Sequence, residues 1–181
     1  MSEYRIHLIR PEDADRVRSL RLAMIQDTPI AYLETYEQAL ALPAEEWVHR
    51  AGRGTRPGST SYAAVEQATG DWVGGMNAYV PEDGPDTPDT PDTPVAAWLV
   101  GVWVHPEHRG GKLGVTDALL DTVIAWARDT ARVPRLLLEV HEANARAITY
   151  YERRGFVRTG ATVPYPLDPS ARELEMELLL G

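Results

Sequence analysis

The sequence predicts an α/β fold, a mixed central sheet of about seven strands flanked by helices. Three observations lead there. Short alternating or apolar runs, bounded by Gly, Pro, Asn and Asp, recur along the chain and read as strands. Segments with apolar residues three and four apart lie between them and read as helices. Strands precede and follow helices in a mixed order, the pattern of a sheet with helices packed on it. The 181 residues suit a single domain, 1–181, long enough to bury a core without staples.

Tyr4 to Ile9 alternates and is read as strand one. Arg10-Pro11-Glu12-Asp13 places proline and acids in a first helical turn. Asp15 to Ile25 follows with Val17, Leu20 and Met24 at helical spacing, broken by Asp27-Thr28-Pro29. Thr35 to Leu42 and Pro43 to Ala51 predict two shorter helices. Ser61 to Glu66 and Trp72 to Val80 read as strands joined by a turn at Gln67 to Asp71. The Pro-Asp-Thr triplets from Pro85 to Pro94 offer nothing apolar to bury and predict a solvated loop. Val95 to Val104 is apolar throughout, as in a central strand buried on both faces. Thr116 to Arg128 is the long helix, with Ala118, Leu119, Val123, Trp126 and Ala127 on one face. Arg135 to Val140 is strand five. Ala143 to Arg154 is a helix closed by Gly155. Phe156 to Thr159 opens strand six, and Glu173 to Leu180 alternates as strand seven.

Composition excludes several functions. With no cysteine, the chain has no disulfide, no cysteine nucleophile and no cysteine-ligated metal. No apolar stretch approaches the roughly 20 residues of a membrane span, and the polar, alternating N-terminus is unlike a leader. These features predict a cytoplasmic protein with no membrane partner. The net charge of −9 disfavours nucleic acid, whose affinity comes largely from phosphate neutralisation. Cationic partners such as amines suit it better.

His105 to Val115 carries the chemistry. It reads His-Pro-Glu-His-Arg-Gly-Gly-Lys-Leu-Gly-Val, between the apolar strand and the long helix. Glycines let the backbone turn without a Cβ clash. The freed N–H groups at the helix start face outward, where the helix dipole favours an anion. Arg109 and Lys112, the chain's sole lysine, add charge-assisted contacts. A strand, a glycine-rich basic turn and a helix make a phosphate site. His105 and His108, with no third ligand nearby, are a poor zinc set.

Three linked stretches resemble the GCN5-related N-acetyltransferase (GNAT) family. Arg109-Gly110-Gly111-Lys112-Leu113-Gly114, after Val102-Trp103-Val104-His105-Pro106, is similar to the family's pyrophosphate motif, Gln/Arg-x-x-Gly-x-Gly/Ala. Lys112 stands where that motif has its first glycine. Leu138-Glu139-Val140 precedes Asn144, and Tyr150-Tyr151-Glu152-Arg153-Arg154-Gly155-Phe156 resembles Tyr-Glu-x-x-Gly-Phe. The resemblance spans 95–159, the acetyl-CoA-binding core, and is loose over 1–60, where family members carry acceptor-binding helices. It implies a mostly antiparallel sheet, acetyl-CoA as acetyl donor, an amine acceptor and a homodimer.

The resemblance also implies residue roles. The backbone of Val102, Trp103 and Val104 would pair with the pantetheine amides as an added strand does. The main chain from Gly110 through Gly111, Lys112, Leu113 and Gly114 to Val115 would hold the pyrophosphate. Asn144 would touch the donor while capping its helix. Tyr151 would be the acid, since a phenol with a reference pKa of about 10 can protonate a leaving thiolate. Tyr150 points about 100° away on the same helix.

The family's strand-four glutamate is absent, its places being Ala96 and Ala97. Glu139, spaced from Asn144 and Tyr151 as in the family's ribosomal-protein N-terminal acetyltransferases, is the candidate base, and its apolar neighbours predict a raised pKa. Glu142, His141 or a water chain are the alternatives. For the acceptor, a small amine is the first reading because the acidic chain suits cations, and a protein N-terminus the second, suggested by the Glu139 spacing; a non-catalytic acyl-CoA sensor is the alternative to both. Tyr32, Glu34 and Tyr36 on one side and Tyr165 on the other are the candidate acceptor walls, with the Arg50, Arg53, Arg56 group read as a solvated loop.

Overall fold

The computed structural model describes residues 3–81, 95–110 and 114–181. The Pro-Asp-Thr repeat and Gly111, Lys112 and Leu113 lie outside them. Seven strands form one sheet in the order β1-β2-β3-β4-β5-β7-β6. These are β1 (Tyr4–Leu8), β2 (Ser59–Glu66), β3 (Trp72–Tyr79), β4 (Ala97–Val104), β5 (Arg135–His141), β6 (Val157–Tyr165) and β7 (Asp168–Leu179). Every neighbouring pair is antiparallel except β4 and β5.

Two layers of helix cover the sheet. On one face lie α1 (Ala14–Asp27), α2 (Tyr36–Leu40) and α3 (Ala44–Ala51). Leu20, Met24, Trp47 and Trp103 pack together there. On the other face, α4 (Val115–Ala125) and α5 (Ala145–Arg153) bury Val115, Leu119, Leu120, Val123, Ile148 and Tyr151 against Met76, Leu99, Leu136, Leu138 and Met176. On α4 the buried stripe takes in Leu120 and leaves Ala118 exposed, because packing selects the larger apolar side chain at the stripe's edge. A single π turn, Trp126–Thr130, extends α4.

The local chemistry explains the ends. Asn144 caps α5 by accepting the Ala147 amide at 3.3 Å. Gly155, at φ +90°, closes that helix in the left-handed conformation that glycine adopts freely. β6 and β7 run longer than the sequence suggests, turning tightly after Tyr165. Pro164 is accommodated because β6 is an edge strand.

β4 departs from the predicted central strand. It pairs with β5 only at Ala97↔Leu136 and Trp98↔Leu137. Beyond that the two strands part, while the register with β3 slips between Gly75 and Asn77. Gly101 sits in this bulge at φ +61°, and Val100 is 40 % exposed. Only the first part of the strand is therefore flanked on both edges. Among the described residues no helix is long and apolar enough to cross a membrane.

Candidate active site

The gap between β4 and β5 opens after two pairs and lies on the side of β4 that leads toward α4. Its β4 side offers the main chain of Gly101 to Val104. The Val102 carbonyl accepts a hydrogen bond from the Tyr32 hydroxyl at 3.0 Å. At its far end the chain turns through Gly110, at φ +100°, and Gly114, at φ +66°. Gly114 precedes α4 and supplies no side-chain cap. Among the described residues no side chain caps the first N–H groups of α4, and no described atom lies within 4 Å of where a Cβ would stand on Gly110 or Gly114. A split between parallel strands and a helix start with no side-chain cap among the described residues fit an extended chain ending in a diphosphate.

Arg109 is engaged elsewhere. Its Nε donates to the Val104 carbonyl at 2.7 Å, and its terminal nitrogen pairs with Asp27 at the end of α1. Asp27 also accepts from the Trp103 indole at 2.9 Å and from Thr28 at 2.8 Å. Burial pushes the Asp27 carboxyl up, but these donors and the guanidinium charge outweigh it and hold it at about 2. The side chain predicted to meet an anion instead ties the end of β4 to α1. Nothing in the sequence pairs residues 27 and 109.

Tyr151 lies on α5 and is buried, 6 % exposed. Its ring packs against Tyr150 and Phe156. Burial, then the nearby Tyr32, raises its pKa, so the phenol stays protonated. Burial does the same to Tyr32. Tyr150 turns away, donating to Asp117 on α4 at 3.1 Å, where Arg154 also binds.

Glu139 lies on β5 opposite Glu175 of β7, and it is exposed between the buried Leu138 and Val140. Burial, then Glu173 and Glu175, raise its pKa. Sequence reasoning foresaw the first cause and missed the other two. The signal was the alternation Glu173-x-Glu175-x-Glu177, which puts three carboxylates on one face of a strand. His141 lies opposite Glu173, takes the Ala143 amide on Nδ1 at 3.1 Å and meets the Tyr165 ring edge-on at 4.7 Å. Glu142, the other fallback base, accepts from the Arg172 amide at 2.8 Å.

The acceptor-side residues divide. Tyr165 is buried, and its hydroxyl donates to the Tyr32 carbonyl at 3.2 Å, so the β6–β7 turn and the segment after α1 meet. Glu34 is held by Arg21 at 3.1 Å and Arg50 at 2.8 Å, which keep its pKa below the usual carboxylate range despite burial. Arg50 is therefore part of an ion-pair network rather than a solvated loop. A shallow, largely apolar cavity of about 280 Å³ lies between Ile25, Pro29, Glu34, Tyr36 and Leu167. Tyr32 and Tyr165 are thus structural struts, while Glu34 and Tyr36 line an open surface.

Comparison with known proteins agrees with this geometry. Residues 20–156 match the sequence model of the acetyltransferase (GNAT) family. The chain belongs to that family. It is 42 % identical over 64 residues to a mycothiol acetyltransferase from Salinispora tropica; the match covers 35 % of this chain and 20 % of that protein. The chain therefore spans about a fifth of the curated relatives it matches. A GNAT-family acetyltransferase structure from Streptococcus pneumoniae superposes with a TM-score of 0.76 at 20 % identity, covering 99 % of this chain and 100 % of that one. Ribosomal-protein-alanine N-acetyltransferase from Brucella melitensis gives 0.73 at 22 %, covering 97 % and 99 %.

Proposed function

We propose that the protein is an acetyl-CoA-dependent N-acetyltransferase that acetylates a primary amine of a small molecule by direct attack in a ternary complex. The observation that carries this reading is the split between β4 and β5 after two pairs, with Val102 on its β4 side, Glu139 on its β5 side, and α4 starting beyond Gly114. Acetyl-CoA supplies a thioester, an acyl group activated toward amines. Val102, Trp103 and Val104 hold its arm, and Gly110 to Val115 its diphosphate, with Asn144 beside it. On this reading 95–159 is the donor-binding core and 1–60 supplies the acceptor side.

Two side chains divide the proton work. Glu139, its proton affinity raised by burial, takes a proton from the acceptor ammonium, directly or through water. Tyr151 holds its proton at neutral pH and gives it to the departing thiolate. The chain has no cysteine to carry an acyl intermediate, which favours the direct route. Among acceptors, a small amine is favoured because Tyr165 and Tyr32 join across the acceptor side, narrowing the space an extended peptide needs. The spacing from Glu139 to Tyr151 favours a protein N-terminus as the second reading.

The test is thiol release from acetyl-CoA across a library of small amines and N-terminal peptides, with mass spectrometry of the product. Release with small amines alone supports the proposal. Release with peptides alone selects the second reading. Silence across both, with CoA still bound, makes the protein an acyl-CoA sensor.

A further inference from the structure

The edge of β4 that faces the split has its carbonyls covered. The His105 amide donates to the Val73 carbonyl at 2.8 Å, and two residues back Trp103 stands opposite Gly75. Successive residues of an antiparallel strand turn to opposite sides, and the N–H and C=O of one residue share a side. Trp103 and His105 therefore face β3, while Val102 and Val104 turn both groups toward the split. Side chains take both of those carbonyls. The Tyr32 hydroxyl donates to Val102 at 3.0 Å, and Arg109 Nε donates to Val104 at 2.7 Å. A strand edge ordinarily presents N–H and C=O groups together. This one keeps its N–H groups for a ligand.

Both covers are held in place from the acceptor side. Tyr32 is 5 % exposed, and the Arg21 guanidinium lies over its ring, 4.8 Å from the centroid, an attractive cation–π contact. The Tyr165 hydroxyl fixes the Tyr32 main-chain carbonyl at 3.2 Å. Burial raises the pKa of the Tyr32 phenol, so it stays protonated and keeps donating at neutral pH. Arg109 is held in turn by Asp27, which also accepts from the Trp103 indole at 2.9 Å. The end of α1 and the segment after it, Asp27 to Tyr32, thus govern what the β4 edge presents.

We propose that Tyr32 is a positioning residue for the donor: by covering the Val102 carbonyl it leaves the β4 edge with N–H donors, which then select the carbonyl oxygens of the pantetheine arm. This rests on the N-acetyltransferase reading. An uncovered Val102 carbonyl beside those oxygens would be an acceptor without a donor, which carries a desolvation cost once the arm excludes water. Arg109 gives Val104 the same cover, with Asp27 holding it. Tyr32 acts through Val102 and so sets donor affinity without taking part in proton transfer.

The test is Tyr32→Phe, which removes the hydroxyl but keeps the ring beneath Arg21 and the main-chain carbonyl that Tyr165 holds. Calorimetry with CoA and with adenosine 3′,5′-bisphosphate, which lacks the arm, separates a positioning role from a merely structural one. The variant is expected to bind CoA about 3- to 10-fold more weakly, the scale of one hydrogen bond, and the bisphosphate within about twofold of the parent. In the free protein, hydrogen–deuterium exchange across 101–104 is expected to quicken in the variant, because the edge loses a tether. Equal or tighter CoA binding overturns the proposal, as does an equal loss for CoA and the bisphosphate, or unchanged exchange. A parent protein that binds neither ligand refutes the donor reading itself, whereas CoA held equally by parent and variant refutes the role of Tyr32 alone.

Discussion

Asp27→Asn removes the charge that joins α1 to the end of β4 while keeping the shape of the side chain. The parent carboxyl is held at about 2 against an ordinary 3.8. At about 1.36 kcal/mol per tenfold change in proton affinity, the folded state favours the charged form by about 2 kcal/mol. The side chain is 20 % exposed and lies near the surface, so solvent screening reduces this to about 1–2 kcal/mol. For a chain of this length the loss lowers Tm by about 2–8 °C at pH 7. The sign follows from the depressed pKa. The contribution is complete above the unfolded value and fades as pH falls toward about 2. Thermal melts by circular dichroism at pH 7 and pH 3 should show the gap between parent and variant shrinking by about half. An equal Tm at pH 7, or a gap as wide at pH 3 as at pH 7, refutes the clamp.

Three further outcomes are expected. Gly101→Ala forces a Cβ into a φ of +61°, 2.5 Å from the Asn77 side-chain nitrogen; the left-handed backbone alone costs about 1–2 kcal/mol, read as a lower urea midpoint, and distortion of the bulge should weaken CoA binding in calorimetry. Tyr151→Phe, assayed with an identified amine, should lower kcat by roughly 10- to 1,000-fold, and unchanged turnover would remove the phenol from the mechanism. Glu139→Gln should abolish the acid limb of the kcat/KM profile, a limb that rises at a pH above the ordinary glutamate range because the carboxyl is raised. The same raised value makes ionised Glu139 unfavourable to the fold as pH rises through it, so the variant should melt no lower than the parent at pH 8; a lower Tm would contradict that sign.

Local pattern carried most of the fold. Alternation at Tyr4 to Leu8 and in the Glu173 segment, apolar spacing in α1 and α4, and the Asn144 and Gly155 caps are set by residues within a few positions of one another. The glycine turn before α4 was legible for the same reason. Its contacts were not. Arg109, basic and beside glycines, reads as an anion ligand, yet its partner Asp27 stands 82 positions away. Tyr32 reads as a wall residue and is a strut, because the Val102 and Tyr165 groups that fix it come from β4 and β6.

The sequence alone determined which segments are strands and helices, where the glycine-rich stretch before α4 lies, and which phenol and carboxylate are the candidates for proton transfer. These follow from periodicity and residue chemistry over short range. The tertiary structure alone decided that β4 and β5 part after two pairs, that Arg109 is spoken for by Asp27, and that Glu139 and Glu173 stand diagonally on one face of the β5–β7 ladder. Each depends on strand register and on charges brought together across the sheet, which spacing along one chain does not encode.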